Sequence, residues 1–253
     1  MLNLLRSDFY KTSRMKVFYV FLFSTFLFAS SFSFFIIRNA LKNSYLDDKV
    51  SVSQLLLNNL GCTMLFSTIF TALFMGNDFK FNIVGSVISR GISRSNYYFS
   101  KLIVSVLLYI SLFILDKLCV LAVGSGYKIS FGDFNKFFFL WIFCEITCGL
   151  SSVCFANMLV SFFGSRSLIF IMLLNFGSLV VIPIINGLLH AVLKINVELE
   201  NFWMGSANMF HPEYKQSLKE STSARDIVKN IIWCVVFTAI GILSFQKRDI
   251  KNK

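Results

Sequence analysis

The apolar stretches of the sequence contain four ionisable side chains: Asp116, Lys117, Glu145 and, near the start of its stretch, Lys229. At the centre of a bilayer an ionised group costs at least about 2.5–3.5 kcal/mol, so such residues face protein or water and often bind protons, ions or substrate. Glu145 lies deep in its apolar run and is the costlier. It is either a carboxylate that contacts substrate or a gate, or a structural glutamate in a helix interface.

Asp116 and Lys117 are adjacent and so do not face each other on a helix. They lie toward the end of their run, where a lysine can reach the interface, and we expect them to act as anchors. Beside Glu145, small residues recur at four-residue spacing, which permits close helix approach. These residues are Cys144, Cys148, Ser152 and Ala156. All six cysteines fall in apolar runs, so no disulfide framework is implied.

Several enzyme classes lack their motifs in this sequence. No glycine is followed by lysine, which excludes the phosphate-binding loop of ATPases. The two histidines, His190 and His211, lack zinc-protease spacing, and no nucleophile elbow occurs. We therefore predict no catalytic residue, no metal site and no cofactor on this chain.

The composition indicates the environment in which these residues must be positioned. Of the 253 residues, 56% are hydrophobic and only 15% are charged, too few to cover a soluble domain. The net charge of +11 could suggest nucleic acid, but Lys and Arg cluster at the ends of apolar runs. A membrane protein without a nucleic-acid partner is the better interpretation.

Six apolar runs are long enough to cross a bilayer, which needs roughly 20 helical residues. The sequence therefore predicts an all-α integral membrane protein that forms a single transmembrane domain. The predicted spans are 17–37, 55–75, 102–123, 137–160, 168–189 and 227–245.

An even number of spans places both termini on one side, which we assign to the cytoplasm. On this assignment slightly more than half of the 24 Lys and Arg residues fall in inner segments, as the orientation rule requires. Most of the acidic residues fall in outer segments, in agreement with it.

Three segments outside the spans have distinct patterns. Residues 2–16 predict an N-terminal interfacial helix, whose basic face supplies anchors: Arg6, Lys11, Arg14 and Lys16. Residues 76–101 carry apolar residues at helical spacing and predict a short amphipathic helix on the cytoplasmic side. That helix either contacts a partner or simply lies on the membrane surface. The outer connection, 190–226, is rich in aromatic residues suited to the lipid–water boundary.

The order of these features resembles the membrane subunit of type-2 bacterial ATP-binding-cassette (ABC) exporters, in particular permeases for lantibiotic immunity or peptide export. The resemblance rests on the basic amphipathic start, the run N-D-F-K-F at 77–81, the run I-S-R-G-I-S-R-S-N-Y-Y-F-S-K at 88–101, and the long outer connection before the last span. It covers nearly the whole chain.

The resemblance implies a coupling helix over 78–89 that inserts into a groove on a separate ATPase. The coupling residues are then Asp78, Phe79, Ile83, Val84, Val87, Ile88, Arg90 and Arg94. It also implies the partners: a cytoplasmic ABC ATPase that binds ATP and Mg, a second permease chain, membrane lipids, and a peptide or lipid-like substrate. The chain would lie in the bacterial plasma membrane with both termini in the cytoplasm.

Two other classes of function remain open. An ion-coupled secondary transporter could use Glu145 as its proton site, but the sequence lacks the inverted repeats expected of one. A non-transporting sensor or immunity protein could bind a peptide through the outer connection.

Overall fold

The computed structural model describes residues 2–42, 51–58, 62–132, 136–172 and 220–248. Within these ranges no strand occurs, and the all-α prediction is confirmed. The helices are α1 (Leu2–Arg14), α2 (Lys16–Lys42), α3 (Val52–Asn58), α4 (Cys62–Lys80), α5 (Ile83–Ser89), α6 (Arg94–Gly126), α7 (Lys136–Phe163) and α8 (Glu220–Lys247). A 3₁₀ turn, Gly164–Arg166, follows α7, and helical backbone continues over residues 167–172.

Four helical segments of the described chain are long and apolar enough to cross a membrane. They are Lys16–Asn39, Arg94–Gly126, Phe138–Met172 and Arg225–Lys247. These correspond to the first, third, fourth and sixth predicted spans. The second, 55–75, falls on α3 and α4 with residues 59–61 undescribed between them, and it is not among the four.

The fifth predicted span, 168–189, lies outside the described residues beyond Met172. The outer connection, 190–226, lies outside them up to residue 219, and its last residues already belong to α8.

Large apolar side chains cover the outside of the bundle, as a lipid environment requires. On α2 they include Phe23, Phe26, Phe28 and Phe35, and on α8 they include Ile232 and Val235. An apolar surface of this extent would aggregate in water. The chain is therefore a membrane protein.

The relative direction of α4 and α6 follows from their contacts. Phe74 and Asp78 of α4 contact the first turns of α6, and Lys117, far along α6, contacts Leu56 of α3. The helices α4 and α6 are therefore antiparallel.

By contrast, α7 and α8 run parallel. Ile227 near the start of α8 packs against the cluster that contains Cys148. Further along, the rings of Phe155 and Phe237 are 5.0 Å apart, and Arg248 beyond the end of α8 binds the carbonyl of Ser161. Residues that contact each other thus advance together along both helices.

Helices α6 and α7 approach each other closely at Gly149. Tyr109 of α6 lies over this glycine and donates a hydrogen bond from its hydroxyl to the carbonyl of Glu145, 3.2 Å away. A Cβ atom on Gly149 would come within 2.0 Å of Cζ of Tyr109, so this contact requires glycine.

We expect Gly149→Ala to lower the apparent melting temperature of the detergent-solubilised protein, because overpacking a core contact typically costs about 1–3 kcal/mol. The matched control is Gly126→Ala, where an added Cβ meets no atom within 4 Å. If both variants have the melting temperature of the wild type, α6 and α7 do not approach each other closely at Gly149.

Candidate functional site

Four charged side chains meet at the end of the bundle that carries α5, which we call the α5 end. They form the ion cluster: Asp8, Lys11, Asp78 and Lys101. The Nζ atom of Lys101 lies 2.5 Å from Oδ1 of Asp8 and 2.7 Å from Oδ2 of Asp78, and Lys11 donates to Oδ1 of Asp78. The cluster joins α1, α4 and α6, and its two positive charges balance its two negative charges.

Two hydroxyl groups complete the ion cluster. The Tyr97 hydroxyl donates to Asp78 over 2.6 Å, and the Ser100 hydroxyl donates to Asp8 over 2.8 Å. Every carboxylate oxygen of the cluster therefore has a donor. The Phe74 ring lies 4.5 Å from the Lys101 ammonium, in the range of a cation–π contact. Such complete pairing is what makes buried charges tolerable.

Asp78 lies beyond the predicted span 55–75 and is fully buried. Burial alone would raise the pKa of its carboxyl, but Lys101, with hydrogen bonds from Lys11 and Tyr97, outweighs burial and holds that pKa below its ordinary value of 3.8. A depressed pKa means that this carboxylate stabilises the fold above its ordinary pKa. The contribution is lost as the pH falls through the lower, folded value.

The helix predicted over 78–89 differs in its start. Helix α4 continues to Lys80, and Asn82, with φ of 53°, interrupts the helix before α5 begins at Ile83. Asp78 and Phe79 therefore belong to α4. Asp78 is engaged within the ion cluster, so it does not present its carboxylate on the surface as a coupling residue would.

The apolar stripe of α5 also differs from the expectation that it fills a groove on a partner. Val84 is buried, and Val87 and Ile88 pack against the chain's own core, while Ile83 is half-buried. We call residues 81–93, between α4 and α6, the α5 loop, and its exposed surface is formed mainly by residues outside the apolar stripe. Those exposed include Phe81, Asn82, Ser86, Ser89, Arg90 and Gly91.

Arg94, predicted to contact an ATPase, binds the end of α8. Its guanidinium donates to the carbonyls of Gln246 over 2.5 Å and of Arg248 over 2.9 Å. Gln246 returns a hydrogen bond from its amide to the Ser95 hydroxyl, 2.9 Å away. The carbonyls at a helix C-terminus lack partners within the helix, and a cation is favourable there.

Arg248 has the same role at the end of α7. It donates to the carbonyls of Ser161 over 2.8 Å and of Val160 over 3.4 Å, and its guanidinium lies 4.4 Å from the centre of the Phe79 ring. Burial lowers the pKa of the Arg248 guanidinium. Gly164 makes room for this side chain, since a Cβ there would come within 2.6 Å of it.

A second charged group lies within the membrane-spanning part of the bundle. The Nζ atom of Lys117 is 2.9 Å from Oε1 of Glu145, 3.0 Å from the carbonyl of Leu56 and 3.6 Å from Oδ2 of Asp116. Lys117 is largely buried, so it does not extend to the interface as an anchor would. Glu145, expected to face protein or water, is fully buried.

The predicted anchors of α1 occupy different settings. Arg6 and Lys16 are exposed, and Arg14 is exposed with its guanidinium 4.3 Å from the centre of the Tyr10 ring. Lys11 instead points into the ion cluster. Three of the four are thus exposed, and the fourth is engaged within the bundle.

The small residues beside Glu145 are all buried: Cys144, Cys148, Ser152 and Ala156. Sequence reasoning assigned no specific contact to Lys101 or Arg248. Lys101 lies just before an apolar run, where it resembled any boundary lysine. Gly164, with φ of +62°, follows the end of α7, but only the structure shows that Arg248 lies against it.

Comparison with known proteins finds no family model, no curated protein and no solved structure that matches this chain. What the chain does must therefore be inferred from its own residues.

Proposed function

We propose that this chain is the membrane permease subunit of an ATP-driven exporter, with ATP hydrolysed by a separate cytoplasmic subunit. The observation that supports the proposal is that the helices on both sides of α5 are held firmly in the bundle. This short helix has an exposed surface and stands between α4 and α6, whose ends are fixed by buried ion pairs and arginine contacts. A displacement of α5 by a partner would therefore move the helices that these contacts join, which are α1, α4, α6, α7 and α8.

The proposed topology has six spans with both termini in the cytoplasm. The parallel packing of α7 and α8 supports it, because a chain that leaves one end of α7 must return before α8 begins. A span at 168–189, as the sequence predicts, accounts for this return. The α5 end is then cytoplasmic, in keeping with its exposed basic residues. Those include Arg6, Arg14, Lys16, Lys80, Arg90, Arg166 and Lys247.

In this proposal two six-helix units, identical or different, enclose a path for a hydrophobic or amphipathic peptide. The location is a bacterial plasma membrane. Closure of two ATPase subunits moves α5, and the bundle passes between two arrangements that expose the path to opposite sides.

Substituting exposed residues of the α5 loop should release the ATPase without disturbing the bundle. We expect Phe81→Asp with Ser86→Asp to remove most of the ATPase that co-purifies with the intact chain, since both residues are exposed on this loop. Buried carboxylates at an interface remain unpaired and weaken binding strongly. The measurement is the stoichiometry of the purified complex, with its components identified by mass.

The matched control changes an exposed Ser–Phe pair at the opposite end of the bundle, Ser130→Asp with Phe131→Asp. It should leave the stoichiometry unchanged. If no ATPase co-purifies with the wild-type chain, or if the α5-loop variant retains it fully, the proposed function is wrong.

A further inference from the structure

The end of α8 and the residue after it contact both helices that flank the α5 loop. We call the end of α4 the first stem of this loop and the start of α6 its second stem. We call Phe245, Gln246 and Arg248 the C-terminal clamp. The Phe245 ring is fully buried, 6.0 Å from the ring of Phe79 before α5 and stacked at 5.6 Å on the ring of Tyr97 after it. One aromatic side chain from the final helix thus separates, and packs against, the two helices that lead into and out of α5.

Polar contacts of the clamp repeat this arrangement. Arg248 lies over Phe79 on the first stem, while the backbone carbonyls of Gln246 and Arg248 accept from Arg94 on the second. Arg248 also binds the carbonyls at the end of α7. A guanidinium that satisfies two carbonyls and one ring has a fixed orientation, because its donors form a rigid planar fork.

The remainder of α8 is attached differently. Its exposed side chains include Ile231, Ile232, Val235 and Leu243, and it packs most extensively on α7. It also approaches α6 closely at Gly241, where a Cβ would come within 2.3 Å of the Tyr98 hydroxyl. Helix α8 therefore connects α7 along most of its length to the α5 loop at its tip.

We propose that the C-terminal clamp sets the position of α5 relative to α7, with Arg248 as the positioning residue that transmits displacement between them. The contacts of the clamp are independent of the proposed function, but the role that we give it in export rests on that function. In an exporter it would couple the partner-binding helix to the final span and to the span that carries Glu145. It predicts that removing Arg248 loosens α5 while the ATPase still binds.

The distance between α5 and α7 tests the clamp directly. Spin labels are attached to unnatural amino acids at Ser86 and Phe162, both exposed, so that the native cysteines stay in place. In Arg248→Ala we expect the distance distribution to broaden by roughly twofold, because a local contact network opens without global unfolding. Lys247→Ala, which truncates an exposed neighbour, should give the wild-type distribution.

Arg248→Lys keeps the charge but lacks the fork, so an intermediate width is expected, and this variant decides the question if Arg248→Ala does not fold. A wild-type width in both Arg248 variants overturns the clamp.

The complex supplies the second readout. Arg248→Ala should retain the ATPase while losing the stimulation of ATP hydrolysis by a hydrophobic test peptide. Full stimulation in that variant likewise contradicts the clamp. If the distance distribution broadens as expected but wild-type chain binds no ATPase, the clamp stands and the proposed function fails.

Discussion

Replacing Lys101 with methionine is expected to give the largest loss of stability among single substitutions at the α5 end. The Lys101 side chain is 2% exposed, and its ammonium pairs with two carboxylates, those of Asp8 and Asp78. Removing one member of a buried ion pair costs about 3–5 kcal/mol, because the remaining charge has no compensation. We expect a correspondingly large fall in apparent melting temperature and a gain of protease sensitivity in α1.

The control for Lys101→Met is Lys80→Met, which removes an exposed lysine near the same end and should change stability by no more than about 0.5 kcal/mol. Adding Asp8→Asn to Lys101→Met should restore part of the loss, since one unpaired carboxylate is then neutral. No recovery in the double variant would show that Lys101 acts through packing rather than through charge.

Replacing Lys117 with methionine is expected to have the second-largest effect. The change leaves the buried carboxylate of Glu145 without the ammonium 2.9 Å away and removes the donor to the Leu56 carbonyl. By the same reasoning we expect a loss of about 3–5 kcal/mol, seen as a lower apparent melting temperature. Glu145→Gln should be milder in folding, because glutamine keeps the shape and most of the hydrogen-bonding capacity.

The double variant Lys117→Met with Glu145→Gln separates the two roles of the pair. If the pair is structural, the double variant should be more stable than Lys117→Met and should keep peptide-stimulated ATP hydrolysis. If the charge of Glu145 works in transport, stability recovers but stimulation does not, and Glu145→Gln alone lowers it. Lys128→Met, an exposed lysine beyond α6, is the control and should match the wild type in both measurements.

The membrane environment and most of the helices could be read from the amino-acid sequence. Runs of about 20 apolar residues have one stable outcome in lipid, because every backbone group must be bonded within its own segment. Because a lone charge is costly in a bilayer, Glu145 was expected to face protein or water, and the structure buries it. The small residues beside it were expected to permit close helix approach, and they are buried.

The pairing of the charges was decided only by the tertiary structure. Lys117 stands next to Asp116 in the chain, but its ammonium reaches Glu145, which is 28 residues away on an antiparallel helix. Asp8 and Lys101 are 93 residues apart. Spacing along one helix predicts neighbours within a few turns, whereas partners on other helices depend on how those helices are rotated and offset against each other.

The predicted coupling residues show the same difference between what the sequence predicts and what tertiary packing decides. Helical periodicity predicted a short helix within residues 76–101, and α5 lies in that segment. The sequence could not tell whether its apolar face meets a partner or the chain's own core, because both require the same residues at the same spacing. In the structure Val84, Val87 and Ile88 pack against the core, and Arg94 binds the end of α8. Local pattern therefore determined which elements form, and the packing of distant elements determined which surfaces remain free.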